Sequence, residues 1–195
     1  MRILASNILL TIVTICALSA CTDDGNFFDS NRRFEEEKPL IKAYVDEHLP
    51  EAVLDSNLGI WYQILDSGTG GSYIYKVKDT MDVKIIQANA DVKYTLRLLD
   101  GTIVEKSDAA TGSNILVATN LNTGAKSVVS AWLYAFFPTK IGEYNLRGLT
   151  TNGLQKGAKI RFVTPSIHAY GHQSLGKIPI DSPLDFTIEV MNIKE

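Results

Sequence analysis

The sequence predicts an α+β fold: an antiparallel sheet with one short helix placed to cover it, preceded by a helical extension. Three observations carry this expectation. Several segments alternate apolar and polar residues with period two, the mark of strands that bury one face. Two other stretches, 32–49 and 126–137, repeat apolar residues with the helical period. Only the second of these lies within the strand-rich part of the chain.

Length and composition bound what the chain can be. Its 195 residues suit one domain with appendages, and 45% apolar with 21% charged residues is ordinary for a folded protein. Nineteen Lys and Arg against 22 Asp and Glu give a net charge of −3, which argues against nucleic acid as a partner. Both cysteines, Cys16 and Cys21, fall near the start, so a disulfide scaffold is excluded.

The elements follow in order. Met1-Arg2, an apolar run from Ile8 to Leu18 and the small pair Ser19-Ala20 describe a secretory signal peptide over residues 1–20. The run is shorter than the roughly 20 residues a membrane-spanning helix needs. Leu18-Ser19-Ala20-Cys21 resembles a bacterial lipobox, which implies cleavage before Cys21 and a diacylglycerol on its sulfur. Each buried acyl CH₂ contributes about 0.8 kcal/mol, so two or more chains anchor stably. Asp23-Asp24 is similar to surface-export signals of some outer-membrane lipoproteins. The expectation is an extracytoplasmic protein, lipid-anchored to the outer membrane on its periplasmic or cell-surface side, with 21–31 as a lipidated tether.

Residues 32–57 are expected to form an N-terminal helical segment. Leu40, Ile41, Tyr44, Val45 and Leu49 share a face, and Pro39 suits the first turn. Glu35-Glu36-Glu37 reads as a solvated helix end. Gly59–Leu65 is a strand closed by the turn-rich 66–71, and 73–87 offers one or two more. Val92, Tyr94, Leu96 and Leu98 alternate with polar residues, then Asp100-Gly101 turns the chain into a returning strand at 102–105. Val128, Val129, Trp132, Leu133, Phe136 and Phe137 share the face of the single body helix, which Pro138 stops. Residues 139–153 read as a long loop, 157–164 as a strand, and Leu184, Phe186, Ile188 and Val190 as a last one.

Three of these segments together resemble FKBP-type peptidyl-prolyl cis-trans isomerases. They are Val92-Lys93-Tyr94-Thr95 through Asp100-Gly101-Thr102, Val128-Val129-Ser130-Ala131-Trp132, and Lys156-Gly157-Ala158-Lys159 onward through Ala169-Tyr170-Gly171, Ile178-Pro179 and Leu184–Val190. The resemblance covers about residues 58–195, and a lipoprotein member of the family is expected. It implies an FKBP-like half-barrel sheet wrapped round one helix, with a shallow apolar pocket between them. By position the pocket residues would be Tyr94, Val104, Glu105, Val128, Val129, Trp132, Tyr170, Ile178 and Phe186. Trp132 would form the floor, while the Val129 N–H and the Tyr170 hydroxyl would donate to substrate. The chain departs from the family pattern at Val104-Glu105, where Phe-Asp is usual, at Leu96 and Ala131, where glycines are usual, and at insertions over 71–90 and 139–153.

The chemistry implied needs no cofactor or metal. An Xaa-Pro amide rotates slowly because resonance must be lost, against a barrier of about 18–20 kcal/mol. An apolar pocket that favours the twisted amide over the planar one accelerates rotation. The partners expected are proline-containing polypeptides and, through Cys21, a membrane; the chain is expected to be a monomer that assists folding of exported proteins. The alternative is a catalytically weak FKBP-like lipoprotein that serves as a chaperone or protein-binding module. A glycan-binding lipoprotein would need an exposed aromatic platform, whereas the aromatics here fall on inward-facing positions. His168 and His172 invite a metal reading, but two histidines without a third ligand read better as residues of a surface loop.

Overall fold

A computed structural model describes residues 29–80, 82–107 and 110–195. The expected signal peptide, Cys21 and most of the tether lie outside the described residues. Among the described residues no helix is long and apolar enough to cross a membrane.

Helix α1 spans Ser30–His48, and strands β1 to β6 follow at Val53–Asp55, Ile60–Ser67, Val77–Thr80, Val83–Leu98, Ile103–Lys106 and Ser113–Asn120. Helix α2, Ser130–Phe136, precedes two short strands, β7 (Lys140–Ile141) and β8 (Tyr144–Asn145). Strand β9 (Ala158–Thr164), a single 3-10 turn (Ser166–His168) and strand β10 (Leu184–Lys194) complete the chain. The α+β expectation holds: one antiparallel sheet runs β1-β2-β9-β10-β4-β3, with β5 and β6 also paired to β4.

Strand β4 is the spine of this sheet. Its first part pairs with β3 and β6, and its second part with β10 and β5. Ile86, Ala88, Ala90, Val92 and Leu96 alternate inward along it and are buried. This strand and β3 occupy the expected insertion at 71–90, so that segment extends the sheet. Strand β6 lies where no strand was expected, although Ile115 and Val117 alternate there with Asn114 and Leu116. On the inner side of the sheet lies the core, in which Trp132, Leu133, Phe136 and Phe137 meet Phe162, Phe186 and Ile188.

The segment 139–153 is more ordered than the loop expected. It carries the β7–β8 hairpin, and its Leu149 and Leu154 N–H groups donate to the Tyr134 and Phe136 carbonyls at 2.8 and 2.9 Å. Carbonyls at the end of α2, which lack helical partners, are satisfied in this way. Gly148 permits the approach, since a Cβ there would collide with the Phe137 carbonyl oxygen.

Helix α1 packs on the opposite face of the sheet. Along β9, Ile160 and Phe162 point to the main core, while Val163 joins Ile41, Tyr44, Val45 and Leu49 of α1 in a second cluster. Five details differ from expectation. The helix starts at Ser30 because the Asp29 carboxylate accepts the N–H groups of Asn31 and Arg32 at 3.0 and 3.1 Å. Pro39 therefore sits in mid-helix, where a missing N–H costs about 3 kcal/mol unless packing offsets it. Leu40 is 60% exposed, off the packed face. Glu37 is buried rather than solvated, because Ser166 donates to both of its carboxylate oxygens. Residues 53–55, expected within the helical segment, form β1 against β2.

Candidate active site

A cavity of about 440 Å³ opens between the sheet, the start of α2 and the loop that follows β9. That size suits a small-molecule or side-chain ligand. Strand β4 supplies Tyr94 and Leu96, two residues apart and thus on one face. Strand β5 supplies Glu105, β6 supplies Ile115, the segment before α2 supplies Lys126 to Val129, and the later loop supplies Tyr170. Trp132 and Phe186 close the bottom.

The aromatic rings converge. The Trp132 indole meets the Tyr94 ring edge-on at 5.4 Å between centroids, stacks on Phe136 at 5.7 Å, and meets Phe186 edge-on at 6.4 Å. Phe186 in turn stacks on Phe162 at 5.1 Å, its register partner across β9 and β10. Such offset and edge-to-face pairs add about 0.5–1.5 kcal/mol each beyond burial and hold the floor rigid. Trp132 and Phe186 are thus core and cavity floor at once.

Seven of the nine expected residues line this cavity: Tyr94, Glu105, Val128, Val129, Trp132, Tyr170 and Phe186. Val104 and Ile178 do not. Val104 is the unpaired residue of a bulge between the Leu96–Glu105 and Arg97–Ile103 pairs, and packs against the core. Ile178 is buried in the same core, in a tight turn bonded to Leu175. Four lining residues, Leu96, Ile115, Lys126 and Ser127, were not among those expected. Leu96 was legible from its alternation with Tyr94; Ile115 was not, because β6 itself was missed.

Polar groups are sparse and oriented. The Tyr94 hydroxyl donates to Glu105 Oε1 at 2.6 Å, which fixes the phenol at the rim. Ser127 is held by its own backbone partners: its Oγ accepts the Ala118 N–H and donates to the Leu116 carbonyl, each at 2.7 Å. Lys126 Nζ reaches Ser130 Oγ at 2.7 Å. Among the described residues, the Val129 N–H at the N-cap of α2 and the Tyr170 hydroxyl have no protein hydrogen-bond partner. Burial, and secondarily the charge of Glu105, pushes the Tyr170 hydroxyl above the usual phenol range, so it stays protonated and able to donate.

His168 is half-buried and bonded to the body of the domain. Its Nε2 bonds the Leu58 carbonyl at 2.9 Å and its ring meets Tyr134 edge-on at 5.3 Å; burial, opposed by that bond, lowers its pKa. His172 is exposed and pairs with Asp181 at 3.1 Å.

Residues 86–191 match the family of FKBP-type peptidyl-prolyl cis-trans isomerases, over more than half of the chain. The chain belongs to that family. It is a peptidyl-prolyl cis-trans isomerase, and its sheet and helix are those of the FKBP fold. Among solved structures, a peptidyl-prolyl cis-trans isomerase from Pseudomonas syringae is similar at 24% identity, over 86% of this chain and 97% of that one, with a TM-score of 0.49. FkpA from Escherichia coli is similar at 22% identity, over 84% of this chain and 64% of that one, with a TM-score of 0.47. No curated protein sequence matches the chain.

Proposed function

We propose that the cavity between β4 and α2 is where this isomerase holds its prolyl residue, and that it acts outside the cytoplasm, tethered through Cys21, on exported polypeptides. The observation that supports the site most strongly is a pair of donors without a hydrogen-bond partner among the described residues, the Val129 N–H and the Tyr170 hydroxyl, at the edge of an aromatic floor. A prolyl ring against Trp132 and Phe186 would lose water on its apolar faces. Water hydrogen-bonded to the amide oxygen stabilises the planar resonance form, so its exclusion favours the twisted one. The two donors would fix the carbonyls flanking the proline, leaving rotation as the remaining freedom. Each 1.36 kcal/mol or so removed from the barrier is tenfold in rate. No bond is broken, and no proton or electron is transferred.

The tether and the exported substrates rest on sequence: the leader, the Leu18–Cys21 pattern and the Asp23-Asp24 pair. A second reading, a peptide holder with slow turnover, is favoured by Leu96 in the cavity wall and by the absence of Val104 from it.

Exchange spectroscopy by NMR on an Xaa-Pro peptide, with the full chain in detergent, tests the site. Trp132→Ala should reduce exchange by more than about tenfold, because the floor is lost. Unchanged exchange in that variant would remove the cavity from the mechanism, and peptide binding without accelerated exchange in the parent protein would favour the holder. For the tether, mass spectrometry of the protein isolated from membranes should find acyl chains on Cys21. A Cys21→Ser chain that stays equally membrane-bound would refute the anchor.

A further inference from the structure

Glu37 lies on α1, outside the segment that matches the isomerase family, and α1 contributes no residue to the cavity wall. Its side chain is nonetheless only 2% exposed, and both carboxylate oxygens are taken up by one residue. The Ser166 backbone N–H donates to Oε2 at 2.8 Å, and the Ser166 hydroxyl donates to Oε1 at 2.5 Å. A buried carboxylate costs several kcal/mol when unpaired, so the helix would pack more favourably with an apolar residue there unless these bonds served a purpose.

Ser166 is the hub of the turn that presents Tyr170. Its carbonyl accepts the N–H groups of Ala169 at 2.8 Å and Gly171 at 2.9 Å, the residues on either side of Tyr170. A second strap runs parallel: Arg33 of α1 pairs with Asp181 at 3.2 Å, and the Asp181 N–H donates to the Gly171 carbonyl at 2.9 Å. The two residues flanking Tyr170 are therefore fixed to Ser166 and Asp181, and these in turn to the N-terminal helix.

We infer that Glu37 is a positioning residue for the isomerase reaction: through Ser166 it sets where the Tyr170 hydroxyl stands in the cavity, so that turnover depends on the docked N-terminal helix. The inference rests on the role proposed above for Tyr170. A misplacement of about 1 Å can cost up to 10²-fold in rate, so loss of the contact has room to act without unfolding the domain.

The test is a double-mutant cycle on the full chain, with kcat and KM measured separately on a proline peptide and amide hydrogen exchange followed at Ala169 and Gly171. Glu37→Ala should lower kcat about tenfold with KM nearly unchanged. It should slow a Tyr170→Phe background by less than about twofold, because both changes remove the same placed donor. The Ala169 and Gly171 amides should exchange faster while those of β9 do not. Glu37→Gln, whose amide can accept the Ser166 N–H and meet its hydroxyl, should restore most of the rate. Should Glu37→Ala melt α1, Ser166→Ala carries the same cycle with the helix intact. Fully multiplicative effects of Glu37→Ala and Tyr170→Phe would overturn the inference, as would unchanged rate and exchange in Glu37→Ala. An unchanged rate in Tyr170→Phe alone would instead remove the role assigned to Tyr170, and this inference with it.

Discussion

The two faces of the sheet are held together by different physics. On the inner face, α2 is seated by apolar contact: Trp132, Phe136, Phe162 and Phe186 stack and interlock, and the cavity is the part of this surface left unfilled. On the outer face, the apolar cluster under α1 is small, and the helix is latched by buried polar groups. Asp185, fully buried, accepts the Tyr44 hydroxyl at 2.8 Å and two nitrogens of Arg161, Nη2 at 2.8 Å and Nε at 3.1 Å. Arg161 also reaches the His48 carbonyl at the end of α1 at 3.3 Å. Apolar contact is non-directional and tolerates an open site; charged hydrogen bonds fix one register and lose much when a partner is removed. The domain thus keeps its chemistry where packing is permissive and its alignment where bonding is strict.

Three changes test this contrast. The largest effect should come from Asp185→Ala, which leaves Arg161 and Tyr44 without their common acceptor. Removing one partner of a buried ion pair costs about 3–5 kcal/mol, and the partial exposure of Arg161 places this case near 3 kcal/mol. Denaturant titration would show it as a lower midpoint at an unchanged slope; a shift well under 1 kcal/mol would mean that the latch is ornamental.

Tyr170→Phe should do the reverse. A hydroxyl without a partner among the described residues contributes little to folding, so the midpoint should move by less than about 0.5 kcal/mol. The rate should fall about tenfold, equivalent to one hydrogen bond of about 1.4 kcal/mol in the transition state. A large stability loss in this variant would blur the division between the two faces.

The smallest effect concerns His168, between the two regions, with Leu58 and Tyr134 against its ring and Arg147 and Lys126 as the nearby cations. Burial depresses its folded pKa, so below the ordinary histidine value of about 6.5 the unfolded chain binds the extra proton. Stability contributed by neutral His168 is complete above that value and is lost as pH falls toward the depressed folded one. Between about pH 7 and 5 the parent protein should therefore lose more stability than His168→Gln, measured by melts at stepped pH. Parallel pH curves for the two proteins would show that the ring is not coupled to folding.

Much of the site was legible from residue order. Period-two alternation placed Tyr94 and Leu96 on one face, and helical spacing put Val128, Val129 and Trp132 at the start of α2. Val104 and Ile178, which the family resemblance assigned to the pocket, stand outside the cavity wall, Val104 at a bulge and Ile178 in a tight turn. Strand β6 escaped because Ser113–Asn120 is short and half exposed, and β4 rather than its own pattern selects it. Position in the chain likewise made the triplet 35–37 look like a solvated helix end, when Glu37 has a partner 129 residues away.

By itself the sequence determined the class of fold, the strand faces, the short helix and the family, because periodicity and local motifs are written residue by residue. The tertiary structure decided what covers the outer face, which polar groups are buried there, and how α1 reaches the loop of Tyr170. Those outcomes depend on pairs such as Glu37 with Ser166 and Tyr44 with Asp185, far apart along the chain. A buried charge is tolerable only when its partner arrives in the right place, and only the folded arrangement brings such partners together.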